Sequence, residues 1–198
     1  DIDNLGWKLD LVLRGQADEA LIETYNDEAV ATADENILNS TRSTDFLTPK
    51  STASRALRDA VLELAGEHAF ARPFVNSGRL STAVSYPASE LSTPDAETWA
   101  GGVPPGSPVL DAPHEDGWLL DALGDDFVLI SHGWDGAAPE GVTRLEVSGL
   151  AAERLALPEA GATLVRPDQY VAARWQHPTT EAIAAALSRA RGALLKGD

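Results

Sequence analysis

The chain opens directly on the pattern of an amphipathic helix, with no initiator Met, strand or turn before it. Leu5, Leu9 and Val12 recur at helical spacing and Leu13 widens the stripe, so we predict a helix whose apolar face packs against another part of the protein. A helix that starts so abruptly indicates the downstream part of a longer protein. We therefore expect most residues that perform chemistry to lie upstream of this sequence.

Composition restricts the function classes. Acidic residues outnumber basic ones by 31 to 15, which gives a formal net charge of −16. This charge would repel a phosphate backbone or an anionic lipid surface, so we expect neither a nucleic-acid partner nor a membrane partner. The absence of Cys excludes disulfides, thiol redox chemistry and Cys-based zinc sites, and it fits a cytoplasmic location.

The first half of the chain has the periodicity of three helices. Apolar residues recur at helical spacing up to about residue 14, from about residue 18 to about residue 44, and from residue 52 to about residue 66. Pro49 ends the second helix because Pro cannot continue a helix, and Ser51 or Thr52 is predicted to cap the third.

The second half has a different texture, in which strand and helix signals alternate. A strand is predicted at 79–86, and a Gly- and Pro-rich loop at 101–106 forms the clearest domain boundary. Beyond it we predict a short helix at 118–123, strands at 127–131, 144–147, 163–166 and 170–175, and a last helix at 181–195. The predicted fold class is α/β, with a helical segment at 1–103 and a domain at 104–198 formed by a mixed sheet flanked by helices.

Motifs in the first half resemble those of a known family. Residues 1–9 follow the pattern Asp-x-x-Asn-Leu-x-Trp-Lys-Leu, residues 12–15 read Val-Leu-Arg-Gly, and Tyr25 and Glu28 form a Tyr-x-x-Glu element. These stretches resemble the single-component flavin-dependent aromatic hydroxylases related to para-hydroxybenzoate hydroxylase. Residues 43–49 further resemble the 3-(3-hydroxyphenyl)propionate hydroxylase-like branch of that family.

Motifs in the second half resemble a domain appended to many of these enzymes. The two stretches are 105–114, from Pro-Gly-Ser-Pro-Val to Ala-Pro-His, and 164–172, Leu-Val-Arg-Pro-Asp-Gln-Tyr-Val-Ala. They are similar to the thioredoxin-like C-terminal domain of the family. The chain has no Cys-x-x-Cys pair, so this resemblance implies no thiol chemistry.

The resemblance implies a parent oxidoreductase that uses FAD and NAD(P)H to hydroxylate a phenolic ring with O₂, as in the degradation of aromatic compounds. It places Asp1 at the edge of the flavin loop as the one cofactor-binding residue of this chain. The Gly-x-Gly-x-x-Gly motif and the other flavin motifs would lie upstream, so we expect the chain alone to bind no FAD and to be inactive. Its expected partner is the flavin domain of the parent, contacted by Leu5 and Trp7.

Several polar residues are of the types that form catalytic or metal sites, and each is better explained structurally. Adjacent residues on a strand face opposite ways, so Ser131 and His132 cannot form a nucleophile–base pair without a bulge. The other polar residues of this kind are predicted to be helix caps, surface groups or solvated turns: His68, His114, Glu115, Asp116, Asp125, Asp126 and His177. No catalytic or metal residue is therefore predicted.

The sequence contains five Trp residues, many for a chain of this length. Trp118 and Trp175 are predicted to pack in the core of the second domain, while Trp99 and Trp134 lie in predicted loops as partly buried residues or partner-facing anchors.

The alternative function is a non-catalytic thioredoxin-like interaction or dimerisation module, which predicts a homodimer. The aromatic substrate and the preferred nicotinamide stay open.

Overall fold

A computed structural model of the chain describes residues 2–75 and 83–195. The elements in chain order are α1 (Ile2–Leu13), α2 (Ala20–Leu47), α3 (Thr52–Glu67), a 3-10 helix (Ala69–Phe74), β1 (Pro113–His114), β2 (Gly117–Trp118), α4 (Leu119–Ala122), β3 (Phe127–His132), β4 (Val142–Glu146), α5 (Gly149–Leu155), β5 (Gly161–Val165), β6 (Val171–Trp175) and α6 (Thr180–Ala190).

The three helices predicted in the first half are confirmed. α2 runs from Ala20 to Leu47 and ends before Pro49. The start of α3 is fixed by a reciprocal cap, in which Ser51 Oγ accepts a hydrogen bond from the backbone N–H of Ser54 at 3.1 Å. The Ser54 side chain accepts one from the backbone N–H of Ser51 at the same distance. Two backbone donors that the helix leaves unpaired are thereby satisfied.

The four strands predicted after residue 104 are also confirmed, and Thr179 caps α6 as expected. The structure adds α5 and the two-residue strands β1 and β2, which the sequence did not indicate because they are short and lack a clear period. Most of the strand predicted at 79–86 lies outside the described residues. Ala83–Tyr86, which is described, contains no regular secondary structure.

The main sheet is mixed, with the strand order β4-β3-β5-β6. β3 pairs in parallel with β4 and antiparallel with β5, and β5 and β6 form an antiparallel hairpin. The predicted α/β class with a mixed sheet and flanking helices is therefore confirmed. None of the helices among the described residues is both long and apolar enough to cross a membrane.

Successive residues of β3 point to opposite faces of the sheet and enter two separate apolar layers. Phe127 and Leu129 belong to the layer that includes Trp7 and Leu11 of α1, and α6 contributes to it as well. Val128 and Ile130 belong to the layer formed with α4 and α5. Through Trp7 and Leu11, α1 is thus part of the cover on one face of the sheet.

The chain divides into two compact units. The first comprises Asp1–Ala29 and Ser85–Asp198, and it contains the sheet. The second is Val30–Val84, which contains α3 and most of α2. The predicted boundary between residues 103 and 104 concerns the domains of the parent protein and stays a prediction.

Within the described chain, the face of α1 that is buried differs from its apolar stripe. Asn4, Trp7, Lys8 and Leu11 are buried, whereas Leu13 is 84% exposed. Leu9 is also exposed and Leu5 is only half-buried. Hydrogen-bonded polar groups form part of the buried face, and a pattern of apolar residues cannot reveal such a face. The expected packing of the apolar stripe against another part of the protein stays a prediction.

Two predictions about Trp residues are wrong. Trp7 packs within the described chain, against Phe127 of β3, with ring centroids 5.6 Å apart and an edge-to-face geometry. Trp118 is 51% exposed because it lies in the short β1–β2 hairpin at the surface. Trp134 is buried, and its indole N–H donates to the carbonyl of Pro178 at 3.2 Å. Trp175 is partly buried against the layer that contains Trp7.

Candidate functional site

The most unusual feature of the first unit is a buried group of charged residues on α1, α2 and the β5–β6 hairpin. Glu28 lies at its centre, 4% exposed. Lys8 Nζ donates to Glu28 Oε2 at 2.9 Å, and Asn4 Nδ2 donates to the same oxygen at 2.6 Å. Ser89 Oγ donates to Glu28 Oε1 at 2.9 Å. Asn4 and Lys8, about one turn apart on α1, thus donate to the same carboxylate oxygen.

The hairpin contributes the second cation and the second carboxylate. Arg166 is 1% exposed and donates to both oxygens of Glu28, from Nη1 at 2.7 Å and from Nη2 at 2.9 Å. It also donates to both oxygens of Asp168, from Nε at 2.9 Å and from Nη2 at 2.5 Å. Asp168 Oδ2 in turn accepts from Asn4 Nδ2 at 3.0 Å. Such two-pronged contacts fix the guanidinium in one orientation.

We call Asn4, Lys8, Glu28, Arg166 and Asp168 the ion cluster. It contains two cations and two carboxylates, so its formal charges cancel. Aromatic rings cover the guanidinium: its central carbon lies 5.3 Å from the ring centroids of both Trp7 and Tyr170. The cluster joins α1 and α2 to the sheet through charge-assisted bonds that are shielded from solvent.

Burial and pairing act in opposite directions on the pKa values of the cluster. Burial would raise the pKa of Glu28, but the hydrogen bonds and charges of Arg166 and Lys8 outweigh it and lower the pKa to about 2. For Lys8, burial outweighs the attraction of Glu28 and lowers the pKa. For Arg166, burial is outweighed by the bonds and charges of Glu28 and Asp168, which raise the pKa. Glu28 is therefore ionised near neutral pH.

This arrangement suits a structural role and not an acid–base role. A general base needs access to substrate and a pKa near the working pH. Glu28 is enclosed, accepts five hydrogen bonds and has a pKa of about 2, so it meets neither condition. The ion cluster therefore serves to hold α1, α2 and the β5–β6 hairpin in a fixed arrangement.

The Ser131–His132 pair and the group His114, Glu115 and Asp116 lie outside the ion cluster. Ser131 is fully buried and donates to Glu146 Oε2 at 2.7 Å, while His132 Nδ1 lies 3.2 Å from the carbonyl oxygen of Leu157. Glu115 occupies the turn of the β1–β2 hairpin with φ of 48°, so His114, Glu115 and Asp116 form a tight turn. Among residues 2–75 and 83–195, no three His, Asp or Glu side chains gather as a metal site.

Asp1, the predicted cofactor contact, lies outside the described residues, and its role stays a prediction. A groove of about 1080 Å³ runs beside α1 in the same unit. Its lining includes Asp3, Asp10, Asp125, Asp126 and Glu140 together with Arg14 and Arg191. An excess of carboxylates disfavours a pyrophosphate, and the sequence contains no Gly-x-Gly-x-x-Gly. The lining of this groove therefore does not suit a pyrophosphate.

Comparison with known proteins gives a match at the start of the chain. Residues 1–40 match the family described as FAD binding domain. A 65-residue stretch is 43% identical to a 3-(3-hydroxy-phenyl)propionate/3-hydroxycinnamic acid hydroxylase from Mycolicibacterium vanbaalenii. That stretch is 33% of this chain and 11% of the hydroxylase. The segment that matches the family thus contains Asn4, Lys8 and Glu28.

Solved structures match almost the whole chain. The flavin-dependent monooxygenase PieE, in complex with FAD and substrate, aligns over 96% of this chain with a TM-score of 0.64 and 22% identity. The rebeccamycin biosynthetic enzyme RebC with reduced flavin aligns over 96% with a TM-score of 0.67 and 24% identity. Aklavinone-11 hydroxylase with FAD and aklavinone aligns over 96% with a TM-score of 0.64 and 23% identity.

The chain shares its fold with part of these flavin-dependent enzymes. It spans 43% of PieE, 40% of RebC and 38% of aklavinone-11 hydroxylase. At these identities the likeness shows a shared fold.

Sequence reasoning did not predict the ion cluster, although every member lies in a motif that carried the family resemblance. Asn4 and Lys8 belong to the first motif, Glu28 to the Tyr-x-x-Glu element, and Arg166 and Asp168 to the Arg-Pro-Asp stretch. One signal was available: Asn4, Trp7, Lys8 and Leu11 are themselves spaced as one face of a helix.

Proposed function

We propose that this chain is part of an FAD-dependent, NAD(P)H-using monooxygenase that hydroxylates a phenolic substrate. The observation that carries the proposal is the match of residues 1–40 to an FAD-binding domain, together with the fold shared with flavin-dependent enzymes over 96% of the chain. In such an enzyme the flavin supplies the redox chemistry, and the protein supplies binding, orientation and shielding. This chain contributes to the scaffold, and its parent contributes the flavin site.

The role of α1 follows from its two faces. One face enters the ion cluster and the sheet, and the other leaves Ile2, Leu9 and Leu13 exposed. An exposed apolar stripe on a packed helix is a surface suited to a further protein segment. We propose that the flavin domain of the parent covers this stripe, so that α1 lies between the flavin domain and the sheet.

The sheet domain is proposed to be thioredoxin-like. The mixed four-stranded sheet with flanking helices supports this, as does the Arg-Pro-Asp stretch at the β5–β6 turn. The absence of Cys leaves it without thiol chemistry, so its role in the parent is structural. The cytoplasmic location likewise remains a prediction.

Activity of the full-length protein tests the proposal. The native full-length protein is purified, its bound cofactor is identified after denaturation, and NADH and NADPH oxidation is followed with 3-(3-hydroxyphenyl)propionate and a panel of simple phenols. We expect bound FAD and nicotinamide oxidation that a phenol stimulates. A full-length protein that carries no flavin and oxidises neither nicotinamide would contradict the proposal. The 198-residue chain, tested in parallel, is expected to be colourless and inactive.

A second candidate function is that of an interaction or dimerisation module. We expected such a module in the domain at 104–198, but the feature that favours it lies in the second unit, Val30–Val84. Phe46, Leu57, Val61 and Phe74 line a groove of about 560 Å³ in that unit. Leu57 and Phe74 are exposed by 67% and 68%. Light scattering of the 198-residue chain tests this candidate, which predicts a dimer, and a monomer at all concentrations would exclude its dimerisation form.

A further inference from the structure

We propose that Arg166 and Asp168 are positioning residues for FAD binding, although they lie far beyond the segment that matches an FAD-binding domain. They would act by holding α1 in the geometry that the flavin site of the parent requires. The inference rests on the proposed function and goes beyond it, because it assigns to two residues of the sheet domain an effect on cofactor affinity.

Two connected paths lead from the hairpin into the FAD-matching segment. On the first, Asp168 Oδ2 accepts directly from Asn4 Nδ2 at 3.0 Å, in the first turn of α1. On the second, Arg166 grips both oxygens of Glu28, and Glu28 accepts from Lys8, one turn further along α1. The hairpin therefore restrains both the position and the rotation of α1.

Asn4 also presents a polar atom that its own surroundings do not use. Its Nδ2 atom donates to Glu28 and Asp168, while its Oδ1 atom is buried and has no hydrogen-bond partner within the described residues. A buried acceptor without a donor is costly. The Asn4 side chain is therefore held only through the Nδ2 bonds to Glu28 and Asp168, and the loss of Asp168 leaves it with Glu28 alone.

The sheet offers a matched control in Arg174. This residue is 9% exposed, and like Arg166 it makes a two-pronged contact with a carboxylate, from Nε to Asp95 Oδ1 at 2.9 Å and from Nη2 to Asp95 Oδ2 at 2.6 Å. It lies over the ring of Trp99, with its guanidinium carbon 4.3 Å from the centroid. Its hydrogen-bond partners are Asp95 and Gly101, outside the FAD-matching segment.

The experiment compares cofactor affinity with stability in the full-length protein. FAD is removed, and the dissociation constant of added FAD is measured by fluorescence for the wild type and for Arg166→Met, Asp168→Asn and Arg174→Met, with the unfolding temperature of each apoprotein. Asp168→Asn keeps the shape of the side chain and guards against a variant that does not fold. We expect about tenfold weaker FAD binding for both cluster variants, a magnitude typical of coupling between separate sites. Arg174→Met is expected to change the constant by less than about twofold even where it lowers the unfolding temperature equally.

A double-mutant cycle tests the path through Asn4. If Asp168 acts through Asn4, the effects of Asn4→Ala and Asp168→Asn on the FAD dissociation constant are not additive. The inference alone would be overturned if the wild type binds FAD and the Arg166 and Asp168 variants bind it equally well. It would also be overturned if these variants lose no more affinity than Arg174→Met does. A wild-type protein that binds no FAD would overturn the proposed function and this inference with it.

Discussion

Arg166 directly follows β5, and its side chain is almost fully removed from water. A buried charge is tolerated only with good pairing, and the loss of one partner leaves the others uncompensated. We expect Arg166→Met to lower the free energy of unfolding of the chain by about 3–5 kcal/mol. Urea unfolding provides the measurement.

The control for this substitution is Arg14→Met. Arg14 pairs with Asp10 at 2.9 Å on the exposed side of α1, where the two side chains are 64% and 49% exposed. Surface pairs of this kind contribute about 0.5 kcal/mol or less. Equal effects of Arg14→Met and Arg166→Met would show that the ion cluster contributes no more than a surface pair.

Glu28 gives the chain a specific dependence on acid. Its pKa in the folded chain, about 2, lies below the ordinary value of 4.5, so the folded state favours the ionised form. The resulting stability is complete above about pH 4.5 and is lost as the pH falls toward about 2, and a shift of this size corresponds to about 3 kcal/mol. Urea unfolding at several pH values should show this loss in the wild type and a flatter profile for Glu28→Gln. Parallel profiles for the two proteins would contradict the assignment.

At the level of single residues, the apolar pattern of α1 did not reveal its buried face, because half of that face is polar or charged. Trp7 and Leu11 are ordinary core residues by type, whereas Lys8 and Glu28 carry the charges that a core normally excludes. Their burial depends on partners that come from residues 166 and 168, and only the folded chain brings these together. A resemblance to family motifs identified all of them as characteristic residues without giving their contacts.

Among the elements, α1 is stabilised on one side only. Gly6 lies on its exposed side, and a Cβ atom added there meets nothing within 4 Å. Gly6→Ala should therefore raise the thermal stability of the chain by about 0.5–1 kcal/mol, since Ala favours a helix interior over Gly. A calorimetric scan measures it, and a destabilised variant would show that this side of α1 is covered in the chain.

The segment around Tyr86 is joined to the sheet through Gly106, where the two backbones lie very close together. This residue has φ of 85°, and a Cβ atom there would lie 2.3 Å from the backbone oxygen of Tyr86. Its own N–H donates to Val171 of β6 at 2.7 Å, and Tyr86 donates back to the Gly106 carbonyl at the same distance. We expect Gly106→Ala to destabilise the chain by more than about 2 kcal/mol, whereas Gly117→Ala, with open space around it, stays within about 1 kcal/mol. Similar unfolding midpoints for the two variants would contradict this account.

Strong local signals made the elements predictable, and weak ones did not. α2, α3 and β3 have long periods or unbroken apolar runs, and they were predicted to within a few residues. α5 contains only seven residues, and the β1–β2 hairpin pairs two residues with two, so neither has enough length to show a period.

On the scale of the whole chain, sequence reading separates a helical half from a sheet half, whereas contacts within the folded chain join α1 and the start of α2 to the sheet. The connecting residues are distant in sequence, and several of them, such as Glu28 and Arg166, are charged. A Gly- and Pro-rich stretch indicates where a chain can form a linker, but it does not indicate which helices pack on a sheet.

Fragment complementation tests this central claim most directly. Residues 85–198 are purified alone and then with a peptide of residues 1–29, and cooperative unfolding is followed by near-UV circular dichroism. Without the peptide, Arg166 loses Glu28 and the core loses Trp7, Leu11 and Leu21. We therefore predict no cooperative transition for residues 85–198 alone, a transition restored by the wild-type peptide, and a weaker effect of a peptide carrying Glu28→Gln. Residues 85–198 that unfold cooperatively without the peptide, at the midpoint of the whole chain, would contradict the account.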